Sequence, residues 1–333
     1  MRVLTINSHQ PYVYDLARLS GIELHVIDDL PGRPQDKWQE SIRPLPPSTQ
    51  LQKLDDALRH ASTFDVFIAH NLTDLSTLKS FQRPAVLLIH SSLDRLLATQ
   101  ETTYSREDIH RILYKYVKLK HVVVASVSNI KAASWGITDC PIIPFFTDTD
   151  YFHGYQGSIP HGLRVANHLV AKGAELNLEF FTNLVEGFKV KLVGDNPQLN
   201  TQPASSKQEL LQLYQTHRYY IHTAAEGMED GYNMASLEAM ATGMPVICNQ
   251  HSTAPVINEK SGFMSSDVTY LREKIAALEV NEELARQLGH EARRYVMTNH
   301  SLEQFDKRWM EVLDLAIRRY QERGASSANA KSP

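Results

Sequence analysis

Glu226-Gly227-Met228-Glu229-Asp230-Gly231-Tyr232-Asn233-Met234-Ala235-Ser236-Leu237-Glu238-Ala239-Met240-Ala241-Thr242-Gly243-Met244-Pro245-Val246 carries three structural signals in one stretch. It opens as an acidic, glycine-containing loop and passes at Met234 into a run of Ala, Leu, Met and Glu, all good helix formers. The run stops at Gly243, and Pro245 then leads an apolar segment; a glycine just past a helix with a proline beyond it is a stop signal. Residues 219–222 before the loop and 245–248 after the helix are short apolar runs, which read as buried strands. The stretch is therefore one turn of a strand, loop, helix, strand alternation.

The same alternation extends in both directions. In the second half, residues 164–166 and 189–193 also read as strands, and 175–184, 207–214 and 234–242 as helices. In the first half, 3–6, 24–27, 66–69, 85–89 and 122–125 read as strands, separated by helical spacing over 12–19, 51–60, 75–81 and 106–116. Helices crossing over between buried strands are the mark of a parallel sheet covered on both faces, so two doubly wound α/β domains are predicted. Residues 147–160, with Gly154, Gly157, Pro160 and little periodicity, are the expected linker. Domains over 1–152 and 153–300 follow, with a terminal helix over 301–323 and a flexible tail over 324–333. Phe305, Trp309, Val312, Leu313 and Ile317 form one apolar stripe on that helix.

Composition narrows the function classes. The chain of 333 residues is 42% hydrophobic, enough for two cores, yet no run reaches the roughly 18 apolar residues of a membrane span. Met1 leads straight into the strand-like Arg2-Val3-Leu4-Thr5-Ile6 with no signal-peptide pattern, which points to the cytoplasm. Cys140 and Cys248 are too few for a disulfide framework or cysteine-based zinc site and read as reduced, buried small residues. A net charge of -4 excludes nonspecific nucleic-acid binding through a dominant basic field. Asp148-Thr149-Asp150 has the form of a metal-binding D-x-D triplet, but it falls in the linker and reads as a turn; no metal is expected. Asp28-Asp29 follows a strand, but no G-x-G-x-x-G follows the first strand, so a dinucleotide fold is not supported. The bases Arg106, Arg111, Lys115, Lys118 and Lys120 read as a solvated helix face that leaves peripheral contact with an anionic inner membrane surface open.

The chemistry is expected where loops follow strands. A helix beginning near Asn233 or Met234 presents unpaired N–H groups and the positive end of its dipole, which suits a phosphate. Glu238, one turn further in, is placed to accept hydrogen bonds from a ribose, and Asp230 to reach hydroxyls on the group the phosphate carries.

On these residues the segment resembles the acidic E-x7-E donor motif of retaining GT-B glycosyltransferases, particularly the glycogen-synthase-like group called family 4. The segment 143–152 resembles that family's linker, and Val165-Ala166-Asn167-His168-Leu169-Val170-Ala171-Lys172-Gly173 its phosphate-binding strand and turn. His90, after the strand 85–89, stands at the family's usual histidine position. The resemblance implies two Rossmann-like domains facing a central cleft, an acceptor-binding N-terminal domain, and a terminal helix crossing back to it. It also implies retaining transfer of a hexosyl group from a UDP- or GDP-type nucleotide-diphosphate sugar to a carbohydrate, lipid-linked or small-molecule hydroxyl. The sugar nucleotide is a co-substrate, and no cofactor is implied. His90, Lys172 and Asp230 take the catalytic roles, and Asn167, His168, Lys172, Asp230, Gly231, Tyr232, Asn233, Met234 and Glu238 line the donor. This sequence departs from the pattern at Asp230, where the first acid is one methylene shorter, and at Asn167, where the family has a pyrophosphate arginine. It departs again at Asn233 in place of a glycine, at Ser252-Thr253 in place of paired glycines, and at Asn7-Ser8-His9-Gln10-Pro11 in place of a glycine-rich loop. A nucleotide-sugar epimerase or hydrolase on the same fold, or a noncatalytic sugar-nucleotide-binding subunit, are the alternative readings.

Overall fold

A computed structural model describes residues 1–40, 43–98, 102–119, 122–229 and 233–329. The chain forms two units, one of residues 1–145 with 302–333 and one of residues 146–301.

In the first unit the order is β1 (Arg2–Ile6), α1 (Gln10–Leu16), β2 (Glu23–Asp29), β3 (Thr49–Lys53), α2 (Leu54–Arg59), β4 (Val66–Ala69), α3 (Leu72–Thr77), β5 (Ala85–Ile89), α4 (Leu93–Ala98), α5 (Arg106–Tyr114), β6 (Val123–Ser126) and α6 (Asn129–Ser134). The six strands pair in parallel in the order β3-β2-β1-β4-β5-β6. Strands buried on both faces need apolar residues at successive positions, and 3–6, 66–69 and 85–89 are buried throughout. Leu4, Ile6, Phe67, Leu87 and Trp135 meet in one core.

The second unit runs β7 (Ile159–Val165), α7 (Leu178–Val185), β8 (Val190–Val193), α8 (Lys207–Thr216), β9 (His217–His222), α9 (Met234–Thr242), β10 (Val246–Asn249), β11 (Gly262–Ser265), α10 (Val268–Val280) and α11 (Glu282–Asn299). Its parallel sheet has the order β11-β10-β9-β7-β8. A separate core forms around Leu184, Tyr219, Ile221, Ile247, Leu271 and Ile275. Helix α9 has the predicted limits because both ends are chemically marked. Asn233 and Ser236 form a reciprocal cap at its start, and Gly243 adopts φ 102° at its end, a conformation that favours glycine. The helix is buried from Ser236 through Thr242. Gly289 of α11 lies so close that a Cβ there would stand 1.7 Å from the Gly243 carbonyl oxygen.

Four expectations are corrected. The segment 51–60 is not one helix: Thr49–Lys53 is a strand at the sheet edge, and the helix starts at Leu54. An edge strand can satisfy its neighbour through polar side chains, here Gln50 to Glu23 and Gln52 to His25, so it carries no apolar run to betray it. The unit boundary falls at 145/146 rather than 152/153. Segment 146–152 joins the second unit because the Arg293 guanidinium donates to the carbonyls of Thr149, Phe152 and Ala241, and the Phe152 ring meets Tyr214 edge-on. The terminal helix α12 runs over Leu302–Asn329, past the expected start of the tail, because the backbone continues the helix of the preceding amphipathic turns without a proline to stop it. Cys248 is buried, but Cys140 is only half-buried, lying on the loop after α6.

Helix α12 packs on β4, β5 and β6. Phe305, Trp309, Val312, Leu313 and Ala316 are buried, and the Trp309 indole N–H donates to the Tyr12 hydroxyl at 3.2 Å. No helix among the described residues is long and apolar enough to cross a membrane. On α5, Ile109 and Leu113 face the core while Arg106 pairs with Asp94 at 2.5 Å and Arg111 with Asp108 at 3.3 Å, so two of the five bases of the run are paired locally. Lys120 lies outside the described residues.

Candidate functional site

In an open parallel sheet, ligands bind beyond the carboxyl ends of the strands where the strand order reverses, because the two flanking loops diverge and leave a crevice. In the second sheet that point lies between β7 and β9. The loop after β7 holds Asn167, His168 and Lys172, and the segment after β9 leads into α9 with Asn233, Met234 and Glu238. The topology thus gathers the expected donor residues that are described at one switch point. Asp230, Gly231 and Tyr232 lie outside the described residues.

The loop after β7 is held firmly. Asn167 Oδ1 accepts from the Asp195 N–H at 2.9 Å, and His168 N donates to the Asp195 carbonyl at 2.8 Å. Asn196 completes the tie, accepting from Leu169 N at 2.7 Å and donating to the Ala166 carbonyl at 2.8 Å. Gly194, with φ 143°, lets the two loops approach: a Cβ there would sit 2.0 Å from the Ala166 oxygen. Asn167 therefore acts as a loop tie. The His168 imidazole, half exposed, stands 3.9 Å from the Asp195 carboxylate. Lys172 N donates to His168 O at 2.9 Å, which closes the turn, and the Lys172 side chain is partly exposed.

Arg164, in β7 beside this loop, is buried rather than turned to solvent. Its guanidinium stacks 4.3 Å over the Phe181 ring and donates to Thr223 Oγ1 at 2.8 Å. Burial lowers it to about 10, so it stays charged at neutral pH, fixed in the core. Across the switch point, Asn233 Oδ1 accepts from Ser236 N at 2.8 Å, leaving the Met234 and Ala235 N–H groups in the first turn without intrahelical acceptors. Glu238 is buried, and its Oε2 accepts from the Tyr214 hydroxyl at 3.2 Å. Glu226 at the end of the preceding loop accepts from Ser252 N–H and Oγ–H, which hold its carboxyl below the usual range and tie the loop after β9 to Ser252. Asp148 turns out to cap a turn, accepting from Tyr151 N at 3.1 Å.

The first sheet reverses between β1 and β4. There His90, just after β5, is joined by two histidines. His70 follows β4, and its Nδ1 lies 2.8 Å from His90 Nε2; His9 caps α1 and stacks on His90 with centroids 5.3 Å apart and planes at 7°. The sequence pattern marks His9 only as part of the segment that stands in place of a glycine-rich loop, and marks His70 not at all. The available signal was positional, since all three stand within a few residues of a strand end at the same sheet edge. Asp74, wholly buried, fixes the neighbouring backbone by accepting from His70 N, Ser8 Oγ and Arg33.

Burial pushes His70 down to about 4 and His90 well below the ordinary histidine value, with the neighbouring imidazoles lowering His90 further. An unfolded histidine titrates near 6.5. Between pH 6.5 and about 4 the unfolded chain therefore binds a proton that folded His70 refuses, so stability is full above 6.5 and falls as pH drops toward 4. His70 accounts for about 3 kcal/mol of that loss. Urea unfolding at pH 7 and pH 4.5 should show a smaller acid loss for His70→Gln than for the wild type; equal losses would contradict it.

Two parallel-sheet α/β units of this build are the GT-B glycosyltransferase fold. Residues 175–313 match the protein family described as Glycosyl transferase-like. Among solved structures, the chain is similar to Alr3699/HepE of Anabaena in complex with UDP and glucose, at 12% identity and a TM-score of 0.67 over 94% of this chain and 99% of that one. It is similar to a glycosyltransferase of Rickettsia africae, at 14% identity and TM-score 0.67 over 95% and 98%. It is also similar to sucrose-phosphate synthase of Thermosynechococcus elongatus, at 14% and 0.59 over 98% and 100%. At these identities the likeness is one of fold. No curated protein matches the chain in sequence.

Proposed function

We propose that the chain is a glycosyltransferase that moves a hexosyl group from a nucleotide-diphosphate sugar to an acceptor hydroxyl with retention, without a metal. One observation carries the reading: the Lys172 loop and the capped start of α9 follow the two strands, β7 and β9, that flank the switch point of the second sheet. The glycosyl transferase-like match over 175–313 and the UDP-bound neighbour HepE support it. In this reading Lys172 and the first amides of α9 bind the diphosphate, where negative charge grows as the glycosidic bond breaks. Asn167 and His168 shape the turn beside it, and Asp230, Gly231, Tyr232 and Asn233 border the donor sugar. Glu238, oriented by Tyr214, holds the ribose. His90 is the catalytic residue this reading assigns to the first unit, which takes the acceptor. With Arg106 and Arg111 paired to carboxylates, a peripheral membrane contact is secondary in this scheme.

Thermal shift with UDP-, GDP- and ADP-sugars tests the donor, since a ligand at 100 times its Kd stabilises by about 2.7 kcal/mol. UDP-glucose is expected to stabilise, and turnover with an accepting hydroxyl should persist in EDTA and give a product of unchanged anomeric configuration by NMR. Free sugar alone would favour a hydrolase, and loss of turnover restored by manganese would remove the metal-free scheme.

A further inference from the structure

β6 is the last strand of the first sheet, and its outer edge is closed at two places with a gap between them. At one, Ser126 N–H donates to the Pro141 carbonyl at 3.0 Å, and Ile143 N–H donates to the Ser126 carbonyl at 2.8 Å. At the other, Val122 N–H donates to the Tyr116 carbonyl at 3.3 Å. Along a strand the backbone groups of successive residues turn to alternate sides. Val127 N–H turns inward, to the Ile89 carbonyl of β5 at 3.2 Å, so Val122, Val124 and Ser126 turn outward. Of these three, Val124 alone has neither its N–H nor its C=O hydrogen-bonded among the described residues.

The gap is a cavity of about 320 Å³, within the range of sites for small organic molecules. Val122, Val123 and Val124 line it, and so do Val117 and Pro141, which stand at its two closed ends on the outer side of the edge. Val124 keeps more surface than any other residue of β6, 8%. A sheltered N–H and C=O left unmatched keep their desolvation cost, which a partner offering an acceptor and a donor side by side would relieve.

Shape limits that partner. Leu113 of α5 clusters with Val122 and Val124 on one face of the sheet, whereas α12 packs on β6 with no buried residue in that cluster and so covers the other face. Leu113 and Val117 from one side and Leu315 from the other make the cavity a slot in the plane of the sheet. From Val122 to Val124 the open edge runs about 7 Å, at about 3.3 Å per residue, too short for an added peptide strand of about five residues. Asp139 and Arg319 both line the cavity, so neither sign of ligand charge is favoured.

We propose that this slot binds a flat, uncharged heterocycle that carries a ring acceptor beside an N–H, as adenine does. Val124 N–H donates to the ring nitrogen, the Val124 carbonyl accepts from the amino group, and the ring lies between Leu113 and Leu315. This site is separate from the transfer reaction proposed above and does not depend on it.

The test uses the full chain. Calorimetric titration with adenine should give saturable binding at least tenfold tighter than with N6,N6-dimethyladenine, which lacks the amino hydrogens, and UDP should not displace it. In the valine-labelled protein, adenine should move the Val124 amide proton downfield, the signal being assigned by its loss in Val124→Ile. Val124→Pro removes the outward N–H, a change an edge strand tolerates, and should weaken adenine at least tenfold where Val124→Ile does not. Val117→Phe and Leu315→Trp, both at partly buried positions and both filling the slot, should weaken it likewise with unchanged UDP affinity. Saturating adenine should also slow alkylation of Cys140, which lines the cavity, Cys248 being buried. Equal affinity for the two purines, an unmoved Val124 amide, retained binding in both filled variants, or displacement by UDP would each overturn the proposal. If adenine binds in this way and UDP does not bind at all, this site stands and the transfer reading falls.

Discussion

Lys172→Ala should lower kcat by about 10²–10³-fold, the loss of roughly 2.7–4 kcal/mol seen when one preorganised charge-stabilising group is removed. The reason lies in timing. Before the glycosidic bond breaks, the diphosphate shares its charge with the sugar; as it leaves, that charge grows, and a cation beside it binds the transition state better than the ground state. The Lys172 turn is fixed by backbone bonds to His168 and by the Asn167–Asp195 and Asn196–Leu169 ties, so losing the side chain leaves the loop in place. Glu238→Ala should behave differently. A ribose contact changes little during bond breaking, so free UDP and UDP-sugar should lose affinity together, while kcat at saturating donor changes less. Steady-state kinetics with UDP calorimetry on both folded variants separates the two. Normal kcat in Lys172→Ala together with normal UDP affinity in Glu238→Ala would put the donor site elsewhere.

Gly194→Ala should destabilise the second unit by more than the 1–3 kcal/mol usual for overpacking and weaken UDP binding as well. Its φ of 143° disfavours any side chain, and the added Cβ would lie 2.0 Å from the Ala166 carbonyl oxygen and 2.9 Å from Asn167 Oδ1, both held by other hydrogen bonds. The clash can be relieved only by parting the loops after β7 and β8, which carries Asn167 to Lys172 away from α9. Gly187→Ala is the matched comparison: φ is 78° there, but a Cβ meets nothing within 4 Å, so only backbone strain of about 1–2 kcal/mol remains. Urea unfolding and UDP titration on both variants check this. Equal loss of stability in the two would show that the loop contact contributes nothing.

Much of the architecture could be read from the chain because parallel strands buried on both faces leave unbroken apolar runs. Residues 66–69 and 85–89 coincide with β4 and β5, and α9 follows the run of helix formers from Met234 to its stop at Gly243. What escaped was whatever the hydrophobic pattern does not encode. β3 makes its side-chain bonds through glutamines, and β11 is a short edge strand begun by a glycine. At the candidate site, the motif residues after β7 and β9 were legible because helix starts and acidic loops have a sequence signature. The histidine chain was not, because it depends on strands adjacent in space and distant in sequence. Nor does the sequence say that Arg164 is stacked under Phe181 rather than turned toward a ligand, since a buried and an exposed arginine are spelled alike.

Helix α12 gives the first unit a composition in two pieces, one from each end of the chain, while the second unit is continuous. During vectorial synthesis residues 146–301 are all available to complete their core before Phe305 and Trp309 have been made. The β4–β6 face that α12 covers must wait, apolar and unshielded, until the residues from Leu302 onward have been made. The unit begun before the other is thus sealed after it, and translation interrupted before α12 leaves its sticky face as the nascent chain's chief liability.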